Sequence, residues 1–182
     1  MFPVGGVGVM LLGAALSGLL CLMIASALRD RLGTLTASTC ALLAWSVVVI
    51  GLITLIPATG APGVVAAEDR LQTCSWDIGG PAPDGFWIFS GGQRLLNAAV
   101  FVPSGALLVV AAARWRRAWV TVPIGLAALA AYSVAIEAAQ LALARLDRAC
   151  DVTDIVDNVT GAGIGVLIGF GAATVLQPWR HR

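Results

Sequence analysis

IVDNVTGAGIGVLIGFGAATVL, residues 155–176, is a continuous apolar run of the length that crosses a lipid bilayer as one helix. A transmembrane helix needs about 20 consecutive, mostly apolar residues. Four similar runs precede it, at residues 4–28, 35–56, 95–113 and 120–144. Their hydrophobicity is continuous rather than alternating, and their alanine content favours helices over a membrane β-barrel. The sequence therefore predicts an all-α, polytopic transmembrane bundle with five spans.

The overall composition agrees with this class. Of the 182 residues, 59% are hydrophobic and 12% are charged, whereas a soluble domain carries about 25% charged residues. A soluble fold of this length could not hide so much apolar surface, which excludes a soluble enzyme and a disordered chain. The net charge of +1 provides no basic surface for DNA or RNA, so no nucleic-acid partner is expected.

The arginines set the predicted orientation, because the cytoplasmic flanks of spans are enriched in basic residues and the chain contains no lysine. Five spans divide the 11 basic residues into seven on one side and four on the other. The N-terminus is therefore predicted outside and the C-terminus in the cytoplasm. The predicted cytoplasmic residues are Arg29, Arg31, Arg114, Arg116, Arg117, Arg180 and Arg182, and the outer ones are Arg70, Arg94, Arg145 and Arg148.

The same spans divide the chain into four regions. Residues 1–56 are predicted to form two transmembrane helices, 57–93 an extracytoplasmic loop, 94–178 a core of three helices and 179–182 a cytoplasmic tail. The loop is rich in proline and glycine, so we expect it to be irregular rather than a folded domain.

Two of the four cysteines lie on the predicted outer side, where disulfides form. We predict a bridge between Cys74 and Cys150 that pins the long loop over the start of the last helix. Two free thiols are the alternative, since spacing alone does not fix the pairing.

Polar side chains within the apolar runs are the candidate functional groups. Glu137 lies inside the fourth span, where an ionisable group is costly unless it is satisfied. Gln140 follows at i+3 and shares its helix face. Asn97 lies near the outer start of the third span, and Pro103 is predicted to interrupt that helix and free a carbonyl group.

The densest polar segment, residues 148–158, leads into the fifth span. Asp151, Asp154 and Asp157 recur every three residues, and Asp151 or Thr153 is suited to cap the helix. Capping does not explain why other polar residues fall at the same depth, and we predict a small polar cavity open to the outside. Its predicted members are Glu137 as a catalytic candidate and Asn97, Gln140, Arg148, Asp151, Asp154 and Asn158 as binding residues.

No metal ion and no cofactor are predicted. Carboxylates are ligands for Ca²⁺ or Mg²⁺, but a spacing of three along a helix points the three aspartates too much alike to wrap one ion.

Gly161, Gly165 and Gly169 are spaced four residues apart in the last span. Small residues at this spacing allow helices to approach closely. The contact lies either within the bundle, which is the simpler alternative, or in a homo-oligomer. Together with Pro103, Gly161 and Gly165 are the predicted structural residues.

Three motifs resemble the VanZ-like family of small bacterial membrane proteins. The first two are Asn97-x3-Phe101-x-Pro103-x-Gly105 and Glu137-x2-Gln140. The third and most specific is Arg148-x2-Asp151-x2-Asp154-x3-Asn158-x2-Gly161-Ala162-x2-Gly165. The resemblance covers about residues 94–170, and Ser104 stands where the family more often has an apolar residue.

This resemblance implies a multi-pass protein of the bacterial cytoplasmic membrane with an envelope-facing role. It also implies a link to resistance against the glycopeptide teicoplanin. It implies no reaction, so the function depends on what the polar residues can do.

Three functions are compatible with the sequence. A binding protein, the leading expectation, would hold an envelope lipid, a glycopeptide antibiotic or a cell-wall component in the polar cavity. An enzyme acting on a lipid-linked substrate would use Glu137 as acid or base and Arg148 to hold a phosphate or carboxylate. It would do so without a Ser/His/Asp or Cys/His set, since the one histidine is His181 in the tail. A transporter would use the intramembrane carboxylate, but the sequence has no internal repeat.

Overall fold

The computed structural model describes residues 5–57, 73–76, 92–142 and 150–181, and their architecture is helical throughout apart from one isolated bridge. Each of five helices is long and apolar enough to span a bilayer, which confirms the predicted class. A short 3₁₀ helix, Pro178–His181, follows the last of them. The five are α1 (Val7–Leu32), α2 (Thr34–Leu55), α3 (Gly92–Ala112), α4 (Ala118–Ala142) and α5 (Val152–Leu176). The predicted site residue Arg148 and most of the predicted loop lie outside the described residues.

Helices α1 and α2 form an antiparallel hairpin around Gly33. The φ angle of Gly33 is 74°, a left-handed conformation that glycine adopts without a steric penalty. Its N–H donates to the carbonyl oxygen of Arg29 at 2.8 Å. The helix α1 extends beyond the predicted end at residue 28 because Arg29 and Arg31 occupy its last turn, where positive charge interacts favourably with the helix dipole.

Helix α1 lies at the periphery of the bundle. None of its residues is buried, and its leucines face outward, as the lipid-facing side of a membrane helix does. It packs on α2, where the indole Nε1 of Trp45 donates to the carbonyl oxygen of Ala14 at 2.8 Å.

The closest helix pair is α3 with α5, and the two run parallel. A Cβ atom on Gly161 would overlap the carbonyl oxygen of Ala98, and one on Gly165 would overlap that of Val102. On Gly169 it would lie 2.6 Å from the carbonyl oxygen of Ala106. The three glycines therefore serve a contact within the chain, in which backbone lies directly on backbone. This is the simpler of the two alternatives that the sequence left open.

One apolar cluster of the core joins four helices. Phe101 of α3 is buried against side chains of α2, α4 and α5, and the buried members of the cluster are Ile50, Phe101, Leu129, Ile136 and Ala162.

Two further hydrogen bonds connect the middle of α2 with α4 and α3. The phenol of Tyr132 donates to the carbonyl oxygen of Val47 at 2.9 Å. The hydroxyl oxygens of Ser46 and the fully buried Ser104 lie 2.9 Å apart. Ser104, the residue that departs from the family pattern, thus connects α2 with α3.

Pro103 does not interrupt α3, contrary to the sequence-based expectation. The helix is continuous from Gly92 to Ala112 with Pro103 inside it. Proline removes one backbone donor, but membrane helices tolerate this loss where neighbouring groups or local adjustment satisfy the freed carbonyl.

A disulfide joins Cys74 to Cys150, the pair for which the sequence analysis predicted a bridge. The N–H of Ser75 donates to the carbonyl oxygen of Cys150 at 2.9 Å, and the N–H of Val152 donates to that of Ser75 at 3.1 Å. Residues 73–76 are therefore held against the start of α5 by one covalent bond and two hydrogen bonds.

Because backbone lies on backbone between α3 and α5, a single methyl group added at this contact should destabilise the fold. Gly165→Ala should lower the free energy of unfolding by about 1–3 kcal/mol, because overpacking forces a backbone shift. Thermal unfolding of the variant and of the unmodified protein in the same detergent measures the change in stability.

Gly163→Ala is the matched control, since nothing lies within 4 Å of a Cβ at Gly163. It should leave stability unchanged or raise it, because alanine is the better helix former by up to about 1 kcal/mol. Equal unfolding temperatures for the two variants would contradict a close backbone contact at Gly165.

Candidate functional site

Most of the predicted site residues gather at one end of the bundle, here called the polar end. It is the end at which α3 and α5 begin and α2 and α4 finish. Glu137, Gln140 and Asn158 are each buried here, with 3–4% of their surface exposed. Polar groups at this depth must find partners within the protein or a ligand.

An ion pair between Arg94 and Asp157 connects α3 to α5. The guanidinium Nε and Nη2 donate to the two carboxylate oxygens at 2.8 and 2.9 Å. The side chain of Asp157 is completely buried and that of Arg94 is 15% exposed. Asp151 and Asp154 also act electrostatically on Arg94. The planar fork of arginine matches a carboxylate in this two-bond geometry.

Neither residue of this pair is among the site residues predicted from the sequence. In the sequence Arg94 is one of the predicted outer arginines, and Asp157 is one of the three aspartates that recur every three residues. A usable signal was present, because an aspartate inside an apolar span needs a positive partner. The sequence did not show which arginine that was, since the partners are 63 residues apart in the chain.

Glu137 attaches the end of α4 to the start of α5. Its Oε2 accepts a hydrogen bond from the backbone N–H of Asp151 at 3.1 Å. The side chain of Asp151 in turn accepts from the N–H of Thr153 at 2.8 Å, so Asp151 is the N-cap of α5. This confirms the first of the two predicted caps. The arrangement couples the buried carboxylate to the backbone at the start of α5.

Gln140 and Asn158 make comparable contacts between helices. The amide Nε2 of Gln140 donates to the carbonyl oxygen of Thr54, close to the end of α2, at 3.1 Å. The amide Nδ2 of Asn158 donates to the hydroxyl oxygen of Ser133 in α4 at 2.9 Å. Both side chains therefore hold the helices that surround the polar end in fixed positions.

Asn97 differs from these residues. Its amide Nδ2 is buried and has no hydrogen-bond partner among the residues that the structure describes. Leaving a buried donor unpaired costs about 1–3 kcal/mol. A ligand that supplies an acceptor oxygen would recover this free energy, which makes Asn97 the strongest candidate for a direct contact.

Asp154 lies in the first turn of α5 and is partly exposed. Asn97 and Asp151 are partly exposed as well. Within the described residues, no three His, Cys, Asp or Glu side chains are grouped so that they could hold a metal ion.

The arrangement can bind and orient a polar group. The ion pair, the capped start of α5 and the amide contacts fix the geometry of the polar end before a ligand arrives, which reduces the ordering cost of binding. The histidine His181 lies in the 3₁₀ helix at the opposite end, so it cannot serve as a base for groups at the polar end.

Breaking the Arg94–Asp157 pair should be strongly destabilising. Arg94→Gln and Asp157→Asn should each lower the free energy of unfolding by about 3–5 kcal/mol, because each leaves its partner buried without its counter-ion. The double variant should lose less free energy of unfolding than the two single variants lose in sum. Unfolding of the purified variants in detergent measures all three values.

Arg29→Gln is the control, because the Arg29–Asp30 pair is long, at 3.6 Å, and exposed on both sides. It should change stability by less than about 0.5 kcal/mol. Strictly additive losses in the Arg94 and Asp157 variants would show that the two side chains do not interact.

A family model described as VanZ/LLP1 matches residues 18–173. The match includes part of α1 and all of α2, and so extends beyond the three motifs that carry the resemblance in the sequence. No curated protein and no solved structure matches the chain. Because the match covers most of the chain and both the polar end and the α3–α5 contact, the protein belongs to the VanZ/LLP1 family.

Proposed function

We propose that this protein is a binding protein of the bacterial cytoplasmic membrane whose polar end faces the outside. Its ligand is an envelope lipid, a glycopeptide-type antibiotic or a cell-wall component, and binding contributes to glycopeptide resistance. The observation that carries the proposal is the buried amide Nδ2 of Asn97, which has no partner among the described residues and lies beside side chains that have partners.

The charges at the two ends of the bundle support this orientation. In the described chain, the end with the α3–α4 turn carries one acidic residue, Asp30, and the polar end carries one arginine, Arg94. Basic residues concentrate on the cytoplasmic side of membrane proteins. The disulfide beside α5 agrees with an oxidising compartment at the polar end. The described arginines at the proposed cytoplasmic end are Arg29, Arg31, Arg114, Arg116, Arg117 and Arg180.

The contacts favour binding over catalysis at Glu137. Its Oε2 accepts from the backbone of Asp151, and this bond positions α5. A group that performs acid–base chemistry must reach the reacting atom of a substrate, whereas the bond to Asp151 gives this carboxylate a structural task.

An enzyme is the second candidate function, and the burial of Glu137 is the observation that favours it. Only 3% of the residue is exposed, and a buried carboxylate is suited to exchange a proton with a bound substrate. In this case the substrate is a lipid-linked envelope molecule.

The role of Asn97 is tested with Asn97→Leu in lipid nanodiscs. Affinity for fluorescent teicoplanin or for a lipid-linked cell-wall precursor should fall about 5- to 30-fold, the value of one or two hydrogen bonds. The stability of the protein should be retained or increased, because the variant removes a buried donor without a partner.

Asn158→Leu is the comparison variant, because it breaks a hydrogen bond to Ser133. It should lower the unfolding temperature. If Asn97→Leu destabilises the protein to the same degree and binds both probes normally, Asn97 is structural and the proposal fails.

Glu137→Gln distinguishes binding from catalysis. Glutamine keeps an acceptor oxygen for the N–H of Asp151 and removes the proton site. We expect both the affinity for the probes and glycopeptide resistance in cells to change less than twofold. Loss of resistance with normal expression and normal affinity would favour the enzyme.

A further inference from the structure

The end of the bundle opposite the polar end has a second notable feature, the turn between α3 and α4. Between α3 and α4 the chain turns through residues 113–117. Beside this turn lies a shallow cavity of about 560 Å³ that is lined by Trp115, Arg116, Arg117 and Thr121.

The arginines of this turn lack acidic partners. Arg116 and Arg117 are exposed, and no carboxylate of the described chain lies within 4.0 Å of either guanidinium. The Nη1 of the neighbouring Arg114 is buried without a hydrogen-bond partner among the described residues. Buried donors of a charged group are costly to leave unpaired, so an acceptor oxygen brought to this turn would be favourable.

The aromatic side chains indicate the depth of the cavity in the membrane. Trp115 and Trp119 are 43% and 79% exposed. Exposed tryptophans at the ends of transmembrane helices lie at the level of the lipid headgroups. The cavity is therefore at the depth of the phosphates of the surrounding leaflet.

An apolar surface continues from the cavity into the span. Ile124 is one turn beyond Thr121 on the same face of α4 and is 63% exposed. An acyl chain can lie along this surface while its headgroup remains beside the arginines. A free phosphate ion would not use this second contact.

We propose that an anionic phospholipid binds at the α3–α4 turn, with its headgroup beside the exposed Arg116 and Arg117 and an acyl chain against the apolar lining of the cavity. Arg116 and Arg117 donate to its phosphate oxygens through their planar guanidinium groups, as arginine does in phosphate sites. Zwitterionic lipids bind less well, because their headgroup brings a positive charge to a basic turn. The site is at the other end of the bundle, so it does not depend on the proposed function of the polar end.

The test compares the binding of an anionic and a zwitterionic lipid to the protein, which is purified in a zwitterionic detergent. Binding of phosphatidylglycerol and of phosphatidylcholine is measured by native mass spectrometry, with lipid titration. Phosphatidylglycerol should bind more tightly, and Arg116→Gln with Arg117→Gln should weaken its binding about 25-fold, which is about fivefold for each arginine. Binding of phosphatidylcholine should change less than twofold.

Arg29→Gln with Arg31→Gln is the matched control, since it removes the same charge at the same end but away from the cavity. It should weaken phosphatidylglycerol binding less than threefold. An equal loss in both double variants, or equal binding of the two lipids by the unmodified protein, would overturn the proposal.

Two further measurements complete the test. Inorganic phosphate at the lipid concentration should not displace phosphatidylglycerol; full displacement would mean a site for free phosphate and would also overturn the proposal. Thermal unfolding verifies that the variants are folded. If the double variant does not fold, the single substitutions Arg116→Gln and Arg117→Gln are titrated in the same way, each with an expected loss of about fivefold.

Discussion

The structure depends on the direct backbone contact between α3 and α5. Lipid offers no hydrophobic driving force for helix association, so close packing has to provide it, and here Gly161 and Gly165 bring their helix onto carbonyl groups of α3. Because the two helices are parallel, both begin at the same end of the bundle. The parallel arrangement places Arg94 of α3 beside Asp157 of α5, and it sets the depth of Asn97 relative to the start of α5.

The polar end is then fixed from several directions. The ion pair holds α3 to α5, Glu137 holds α4 to the backbone of Asp151, and Gln140 connects α4 with α2. The disulfide adds residues 73–76 beside the same helix start. In a medium of low polarity each unsatisfied group is expensive, so these contacts act together to produce one arrangement. Among the described residues of this end, the buried Nδ2 of Asn97 is the exception, and the proposed ligand is placed there for that reason.

The sequence predicted some of this site and missed other parts, for local physical reasons. Asp151 was predictable as a helix cap because capping depends on neighbouring residues alone. The glycine spacing indicated a close helix contact, but the partner helix could not be read from it. Arg94 was missed because its carboxylate partner lies on a helix that is distant in the chain. Pro103 was expected to interrupt α3, since the local rule does not include the support that α5 gives.

The sequence by itself determined the membrane class, the five spans and the family, because length, hydropathy and fixed motif spacings are properties of the chain alone. The tertiary structure decided which groups of the polar end are partners and which donor there has none among the described residues. Partners depend on how helices that are far apart in the sequence lie against each other. The sequence of a single helix shows only that a polar side chain needs a partner. The pairing of Arg94 with Asp157 and the unpaired amide of Asn97 follow from how α3 lies on α5.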